Sequence, residues 1–339
     1  YFNHISSSFE YKFDGIPDQN IILKKNILKL FENENLNDFE FKKNLASSVQ
    51  KSYEGIFNEI INFIKKNNFS KNIIYAGGCA LNSSANRKLI YDKNFENIYI
   101  PFSPGDGGGA IGAALYLSNK FSIKLKSNIS PYLGNSYNDR EVLEIFKNYE
   151  SKLNCIKFNN ENNLIDHAVD MIINQNVIGW FQGRMEFGPR ALGNRSILAD
   201  PRNKSMKDII NRKIKKRESF RPFAPSILSE KKHDWFIKNN FKNFYMSSVE
   251  TVKDDKKKYL EAVTHIDNTG RVQDVTNIIN PKYYNLIHKF FLKTNVPVLL
   301  NTSFNENEPI VRSPDEAFDC LLRTDIDALF INNFKITKK

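Results

Sequence analysis

Twice in its first 120 residues the chain ends a short apolar run on a glycine-rich turn and then begins a helix. The runs are Asn72-Ile73-Ile74-Tyr75-Ala76, stopped by Gly77-Gly78, and Ile98-Tyr99-Ile100, followed by the Gly/Pro loop from Pro101 to Gly109. Runs this short and apolar read as buried strands, and terminal glycines allow a sharp turn and the close approach of a ligand. Strand, glycine turn, helix, repeated, is an α/β layout that places ligands at the turns. At 339 residues the chain exceeds what one hydrophobic core serves, so two domains are expected.

Composition narrows the function classes. The hydrophobic fraction of 41% is too high for a disordered chain. No window reaches the roughly 18 uninterrupted apolar residues of a membrane span. Cys79, Cys155 and Cys320 are odd in number and far apart, so they form neither a disulfide framework nor a zinc clamp. A reducing, cytoplasmic setting follows. The net charge of +11 invites nucleic acid as a partner, but the lysines are spread over many segments. Only the short run from Lys213 to Arg217 is dense, which disfavours nucleic acid and leaves the basic residues mostly as solvated surface. The chain opens on Tyr1 without an initiator Met. We therefore expect a piece of something longer.

Residues 1–38 read as irregular. From Phe41, apolar Leu45, Val49, Tyr53, Ile56, Ile60 and Ile64 recur at helical spacing. Further helices are expected from Leu81 to Leu89 and from Ala110 to Leu117. The polar stretch 118–135 is the best boundary, dividing 1–125 from 126–339. Beyond it come a helix carrying Leu164, Ala168, Met171 and Ile172, a strand from Val177 to Phe181, a long Arg/Gly loop and a helix from Met206 to Ile214. Near the end, a strand from Val296 to Leu300 feeds a polar turn, Asn301-Thr302-Ser303-Phe304-Asn305.

Five segments carry candidate chemistry. In Ala76-Gly77-Gly78-Cys79-Ala80-Leu81-Asn82 the glycines and the helix start behind them suit an anion, and Asn82 and Asn86 would share one helix face. A tight turn with surface asparagines explains the same residues. In Ser103-Pro104-Gly105-Asp106-Gly107-Gly108-Gly109 one carboxylate stands among glycines, suiting a metal or metal-phosphate; an Asp helix cap is the simpler alternative. Residues 183–195 hold Arg184, Arg190 and Arg195 among three glycines, and Arg217 and Arg221 follow. Arginine's planar fork binds phosphate bidentately, and glycine leaves room for it. Last, Thr264-His265-Ile266-Asp267 with Arg271, and the 301–305 segment, add an imidazole, amides and hydroxyls. The remaining histidines, His4, His167, His233 and His288, lack metal-ligand spacing.

On these segments, together with Phe220 to Pro225, Arg271-Val272-Gln273 and Asn301 to Val311, the sequence resembles the O-carbamoyltransferase family, which carbamoylates antibiotics and nodulation factors. The motifs run in the family's order from about Lys43 onward. The resemblance implies an α/β chain built of the C-terminal half of an actin-like ATPase (ASKHA) domain, residues 1–125, followed by a YrdC-like α/β domain, residues 126–339. It implies that carbamoyl phosphate and ATP, with Mg2+, yield carbamoyl adenylate. The carbamoyl group then passes to a hydroxyl of a sugar or other small molecule in a biosynthetic pathway, assisted by a divalent metal, Fe2+ in the family. Matched to this sequence, Asp106 is a metal ligand, and Gly77, Gly78 and Asn82 form the adenylate-contacting turn. Arg184, Arg190, Arg195, Arg217, Arg221, Ser303 and Asn305 lie in the carbamoyl-phosphate and ATP pocket. His265 and Arg271 are further candidates there.

Family members begin with the first half of the actin-like domain, which carries two metal-ligating histidines and a histidine base. No segment here corresponds to it, so the transfer base is expected upstream of Tyr1 and the first domain is expected to be incomplete. Two alternatives stay open: a tRNA threonylcarbamoylation enzyme, and a basic nucleic-acid-binding module without catalysis.

Overall fold

In a computed structural model of the chain, the described residues are 34–92, 95–124 and 130–339, with Phe31 and two short strands ahead of them. Those strands, β1 (Phe9–Glu10) and β2 (Ile22–Leu23), pair antiparallel. His4 lies outside the described residues. The chain divides into two compact units, Tyr1–Ile73 with Ser84–Ile98, and Ile74–Ser83 with Tyr99–Lys339.

The first unit is dominated by α1 (Phe39–Asn67). It starts where the Asp38 carboxylate accepts the Phe41 N–H at 2.7 Å and stops where Asn68 turns left-handed, a common helix cap and stop. Phe41, Phe57 and Ile61 are its buried apolar residues, whereas Val49 of the expected stripe stays half exposed. Ion pairs Lys65–Asp92 (2.9 Å) and Lys88–Glu54 (3.2 Å) stitch α1 to the segment around α2 (Ser83–Ile90).

The helix expected from Leu81 is not continuous. Gly78–Leu81 forms a 3-10 turn capped by Asn82, whose ψ of 84° lies outside the helical range, and α2 begins only at Ser83. Asn82 and Asn86 therefore do not share a helix face. Strands β3 (Asn72–Ile74) and β4 (Asn97–Tyr99) form a two-stranded sheet, and α3 (Gly108–Lys120) follows the second glycine turn.

The second unit is organised by an eight-stranded mixed sheet. Its strands are β5 (Leu153–Lys157), β6 (Ile178–Phe181), β7 (Arg195–Ala199), β8 (Ala224–Leu228), β11 (Gln273–Val275), β12 (Val298–Ser303), β13 (Ala328–Ile331) and β14 (Phe334–Lys338). The spatial order is β11-β8-β12-β7-β6-β13-β14-β5, parallel at β11/β8 and β13/β6 and antiparallel elsewhere. A separate pair, β9 (Val249–Thr251) and β10 (Thr269–Arg271), is antiparallel.

Every residue of β6, β7, β8 and β13 is buried, which is why these runs lack the polar alternation of a one-sided sheet. Helices α4 (Asp139–Phe146) and α9 (Pro314–Arg323) pack on each other, α9 also meeting β13 and β14. Helices α5 (Glu161–Ile173) and α8 (Pro281–Thr294) pack together, α8 also meeting β8 and β12.

Strand β12 runs on where a turn was expected. Asn301, Thr302 and Ser303 pair in register with Leu198, Ile197 and Ser196 of β7. Their polarity reflects a buried hydrogen-bond network and not a loop. The helix near Met206 is a short α6 (Met206–Ile209) that passes into a π-turn, Ile210–Ile214, and the one-turn α7 (Lys232–Trp235) follows β8. The Lys215 N–H closes that turn on Ile210 O at 2.9 Å. Among the described residues no helix is long and apolar enough to cross a membrane.

Candidate anion-binding site

Residues 182–195 leave the sheet at the end of β6 and return to it at the start of β7. Two glycines shape the loop between. Gly188 has φ +123°, and a Cβ there would lie 2.6 Å from Phe102 O; Gly193 has φ +103°, and its Cβ would meet the Tyr283 ring at 2.2 Å. Only glycine fits both constraints. Arg190 sits between them.

The arginines of this loop have different fates. Arg195 is fully buried, stacks on Phe181 with 3.5 Å to the ring centroid, and donates to the carbonyls of Gln182, Asn194, Asn135 and Gly183. Arg184 donates to Leu133 O (2.7 Å) and Gly134 O (3.0 Å). Both are committed to backbone acceptors. Arg190 is not: it makes one long bond to Leu81 O, at 3.4 Å.

Arg190 converges instead with Arg217 and Arg271. Burial pushes Arg271 down to about 9, and the charges of Arg190 and Arg217 add to the shift. Burial also lowers Arg190 and Arg217, the latter further by Arg221. Among the described residues neither Arg190 nor Arg271 has a carboxylate partner, and the buried Nε of Arg271 has no hydrogen-bond partner. Arg217 stacks over Phe223 and donates to Asn211, and exposed Arg221 pairs with Glu218 at 2.8 Å. Partly buried like charges without counter-ions oppose their own ionisation, so the arrangement is matched to an arriving anion.

Lys215 completes the basic wall, and sequence reasoning missed it. It lies in the Lys213–Arg217 run that reads as surface charge, and its burial depends on the π-turn, which leaves no readable periodicity. Such turns recur at functional sites. The Nζ donates to Ser303 O (2.6 Å), Asn305 Oδ1 (2.6 Å) and Asn305 O (2.8 Å), with Ser303 Oγ at 3.3 Å. Burial, then Arg217, push Lys215 down to about 7, while four oxygen acceptors hold the ammonium in place. Ser303 and Asn305 thus join the arginines through Lys215.

His265 stands beside Arg271. Its Nδ1 lies 3.1 Å from Thr269 Oγ1, and that hydroxyl donates to Asp267 Oδ1 at 2.7 Å. Burial lowers the imidazole below its usual value, Arg271 and Lys207 pulling the same way and Asp267 opposing them.

The two glycine turns of residues 77–109 meet. Gly77, at φ +96°, donates its N–H to Pro104 O at 2.7 Å. Asp106 is exposed, and α3 is capped by Gly107 without a side-chain bond, so the helix-cap alternative for Asp106 is not realised. Among the described residues no three His, Cys, Asp or Glu side chains gather as metal ligands. The metal that the resemblance implies finds here no donor set beyond one exposed carboxylate.

Comparison with known proteins is consistent over most of the chain. Residues 169–338 match the family Carbamoyltransferase C-terminus, and residues 7–115 match Carbamoyltransferase N-terminus. Nodulation protein NolO of Bradyrhizobium diazoefficiens is 38% identical over 302 residues, covering 88% of this chain and 55% of that protein. The 3'-hydroxymethylcephem-O-carbamoyltransferase of Amycolatopsis lactamdurans is 32% identical over 232 residues, covering 68% and 42%. An uncharacterised Synechocystis protein is 38% identical, covering 87% and 52%. The chain thus spans about half the length of the curated relatives it matches. Full-length HypF in its phosphate- and nucleotide-bound form aligns with a TM-score of 0.40 at 16% identity, covering 71% of this chain and 36% of that one.

Proposed function

This chain belongs to the carbamoyltransferase family, and from that premise we propose that it serves ATP-dependent O-carbamoyl transfer. In this reading residues 126–339 take carbamoyl phosphate and ATP, release phosphate and pyrophosphate, and form carbamoyl adenylate. The acceptor is the hydroxyl of a sugar or other small molecule.

One observation carries the reading: the charges of Arg190 and Arg217 both bear on buried Arg271, and that of Arg217 also bears on buried Lys215. A reaction that brings a triphosphate and a carbamoyl phosphate together needs such fixed cations to offset the negative charge. Arg190, Arg217, Arg221, Arg271 and Lys215, with Ser303 and Asn305, would hold the phosphates. The burial of Lys215 and the partial burial of Arg190, Arg217 and Arg271 suit a small phosphate ester better than a polymer backbone.

Gly77, Gly78 and Asn82 would contact the nucleotide during transfer, and Asp106 would supply one ligand to a divalent metal. The actin-like and YrdC-like division near residue 126 is part of the same proposal, as is a cytoplasmic setting, supported by three cysteines that form no disulfide among the described residues. The test is to incubate the chain with carbamoyl phosphate and Mg-ATP and measure pyrophosphate and phosphate together. Both should form, and pyrophosphate should require carbamoyl phosphate. No pyrophosphate from folded protein would overturn the assignment of this site.

A further inference from the structure

Arg190 and Arg271 come from different elements, a loop and the end of β10, yet the charge of Arg190 bears on Arg271, and among the described residues neither has a carboxylate partner. Repulsion should swing the loop outward in the empty protein unless something holds it. The holding groups are visible on both sides of the peptides that follow Arg190. On one side, Glu186 Oε1 accepts the N–H groups of Leu192 (2.8 Å), Asn194 (2.7 Å) and Arg195 (3.2 Å). On the other, Gln273 Nε2 donates to Leu192 O at 2.8 Å, Tyr132 Oη to the same carbonyl at 2.9 Å, and Asn301 Nδ2 to Ala191 O at 3.2 Å.

Gln273 is itself fixed, its Oε1 accepting from Ser226 Oγ (2.7 Å) and Asn301 Nδ2 (3.2 Å). It opens β11, two residues after Arg271. This one buried amide therefore ties the Arg190 loop to β11, the strand that begins two residues after Arg271. Glu186 and Gln273 are both nearly fully buried.

We propose that Gln273 and Glu186 are positioning residues that hold the Arg190 loop closed against Arg271 before any anion binds. Neither touches substrate. Their hydrogen bonds offset the guanidinium repulsion, so the empty site is already shaped for a phosphate and ordering the loop costs nothing at binding. The idea rests on the proposed function for its purpose, but the clamp itself is measurable in ligand-free protein.

The experiment compares wild type, Gln273→Ala and the shape-conserving Glu186→Gln by amide hydrogen exchange, with and without saturating inorganic pyrophosphate. In ligand-free wild type, residues 187–194 should be protected. In Gln273→Ala they should exchange about tenfold faster or more, consistent with a lost buried hydrogen bond. Amides of β6 and β13 should stay unchanged. Pyrophosphate should restore the loop's protection and bind roughly tenfold more weakly than to wild type. Glu186→Gln, which keeps an acceptor oxygen, should move the same way by less.

Unchanged loop exchange in both ligand-free variants overturns the clamp. So does a loss of protection that spreads to β6 and β13 and is not reversed by pyrophosphate, since that marks a merely structural role. Wild type that binds no pyrophosphate overturns the proposed function instead, while the ligand-free comparison still decides the clamp.

Discussion

Lys215 and Asn305 are locked together by two hydrogen bonds, from Nζ to Oδ1 at 2.6 Å and to the backbone carbonyl at 2.8 Å. The pair joins the end of the π-turn to the loop after β12, and it fixes one cation of the site at the edge of deprotonation. Burial, then Arg217, hold Lys215 near 7 in the empty protein. A bound phosphate favours the ammonium, so binding near pH 7 to 8 should take up protons. Affinity for pyrophosphate should then fall as pH rises above about 7. Calorimetry in buffers of different ionisation enthalpy reads the uptake directly, and pH-independent affinity from 6.5 to 8.5 would count against a charge-switching Lys215. Linkage gives a companion sign. An unfolded lysine keeps its proton to about 10.4, so unfolding binds more protons between about 7 and 10 and this group's penalty on stability is relieved as pH rises through that window.

Arg190 and Arg195 are five residues apart and should respond in opposite ways to the same substitution. Arg190→Ala removes an uncompensated cation, so the melting temperature should hold or rise, while pyrophosphate formation falls roughly a hundredfold or more. Arg195→Ala removes one donor from each of four carbonyls and empties the space over Phe181, so it should cost on the order of 3 kcal/mol in stability. Thermal unfolding with and without pyrophosphate separates them: pyrophosphate should stabilise wild type but not Arg190→Ala. If Arg190→Ala unfolds early and keeps its rate, the assignment of roles is reversed.

That contrast also marks how far the sequence was readable. Glycine-spaced arginines pointed to an anion site, and of those in residues 182–195 Arg190 alone is not committed to several backbone carbonyls. Which arginine it is depends on carbonyls at positions 133–135 and 182–183, brought near by the fold, and nothing in the spacing distinguishes Arg190 from Arg195. Lys215 was hidden for a related reason. A lysine inside a charge run reads as solvated, and only a π-turn, set by packing of Ile210 and Ile214, turns it inward. The apolar strand β6 was legible because two-sided burial demands continuous hydrophobicity. The end of β12 was not, because its Asn301 Nδ2 donates to Ala191 O, Ser226 Oγ and Gln273 Oε1, partners distant in sequence.

His265 should occupy one tautomer. The Thr269 hydroxyl has a single proton and gives it to Asp267, so its lone pair accepts from His265 Nδ1–H and leaves Nε2 unprotonated. Burial, reinforced by Arg271 and Lys207 against Asp267, keeps the ring neutral below its ordinary value. Nitrogen-15 NMR should report the Nδ1–H form at pH 7 and a titration midpoint under 6.5. Because the unfolded histidine protonates first, stability from this group is lost as pH falls through about 6.5. A midpoint above 6.5, or an Nε2–H signal, would contradict the Thr269–Asp267 relay.

Two glycine-to-alanine changes separate a required glycine from a dispensable one. Gly193 combines φ +103° with a would-be Cβ contact of 2.2 Å on the Tyr283 ring, and α8 holds that ring fully buried. Gly193→Ala must therefore either displace Tyr283 or open the loop, at a cost on the order of 3 kcal/mol, and pyrophosphate affinity should fall with it. Gly112 lies within α3, where an added Cβ meets nothing within 4 Å. Gly112→Ala should stabilise by about 0.5–1 kcal/mol, because alanine loses less backbone entropy on entering a helix. Chemical denaturation of the two variants measures both signs. A tolerated Gly193→Ala would mean that Tyr283 is not packed under the loop, and the support beneath Arg190 would have to be redrawn.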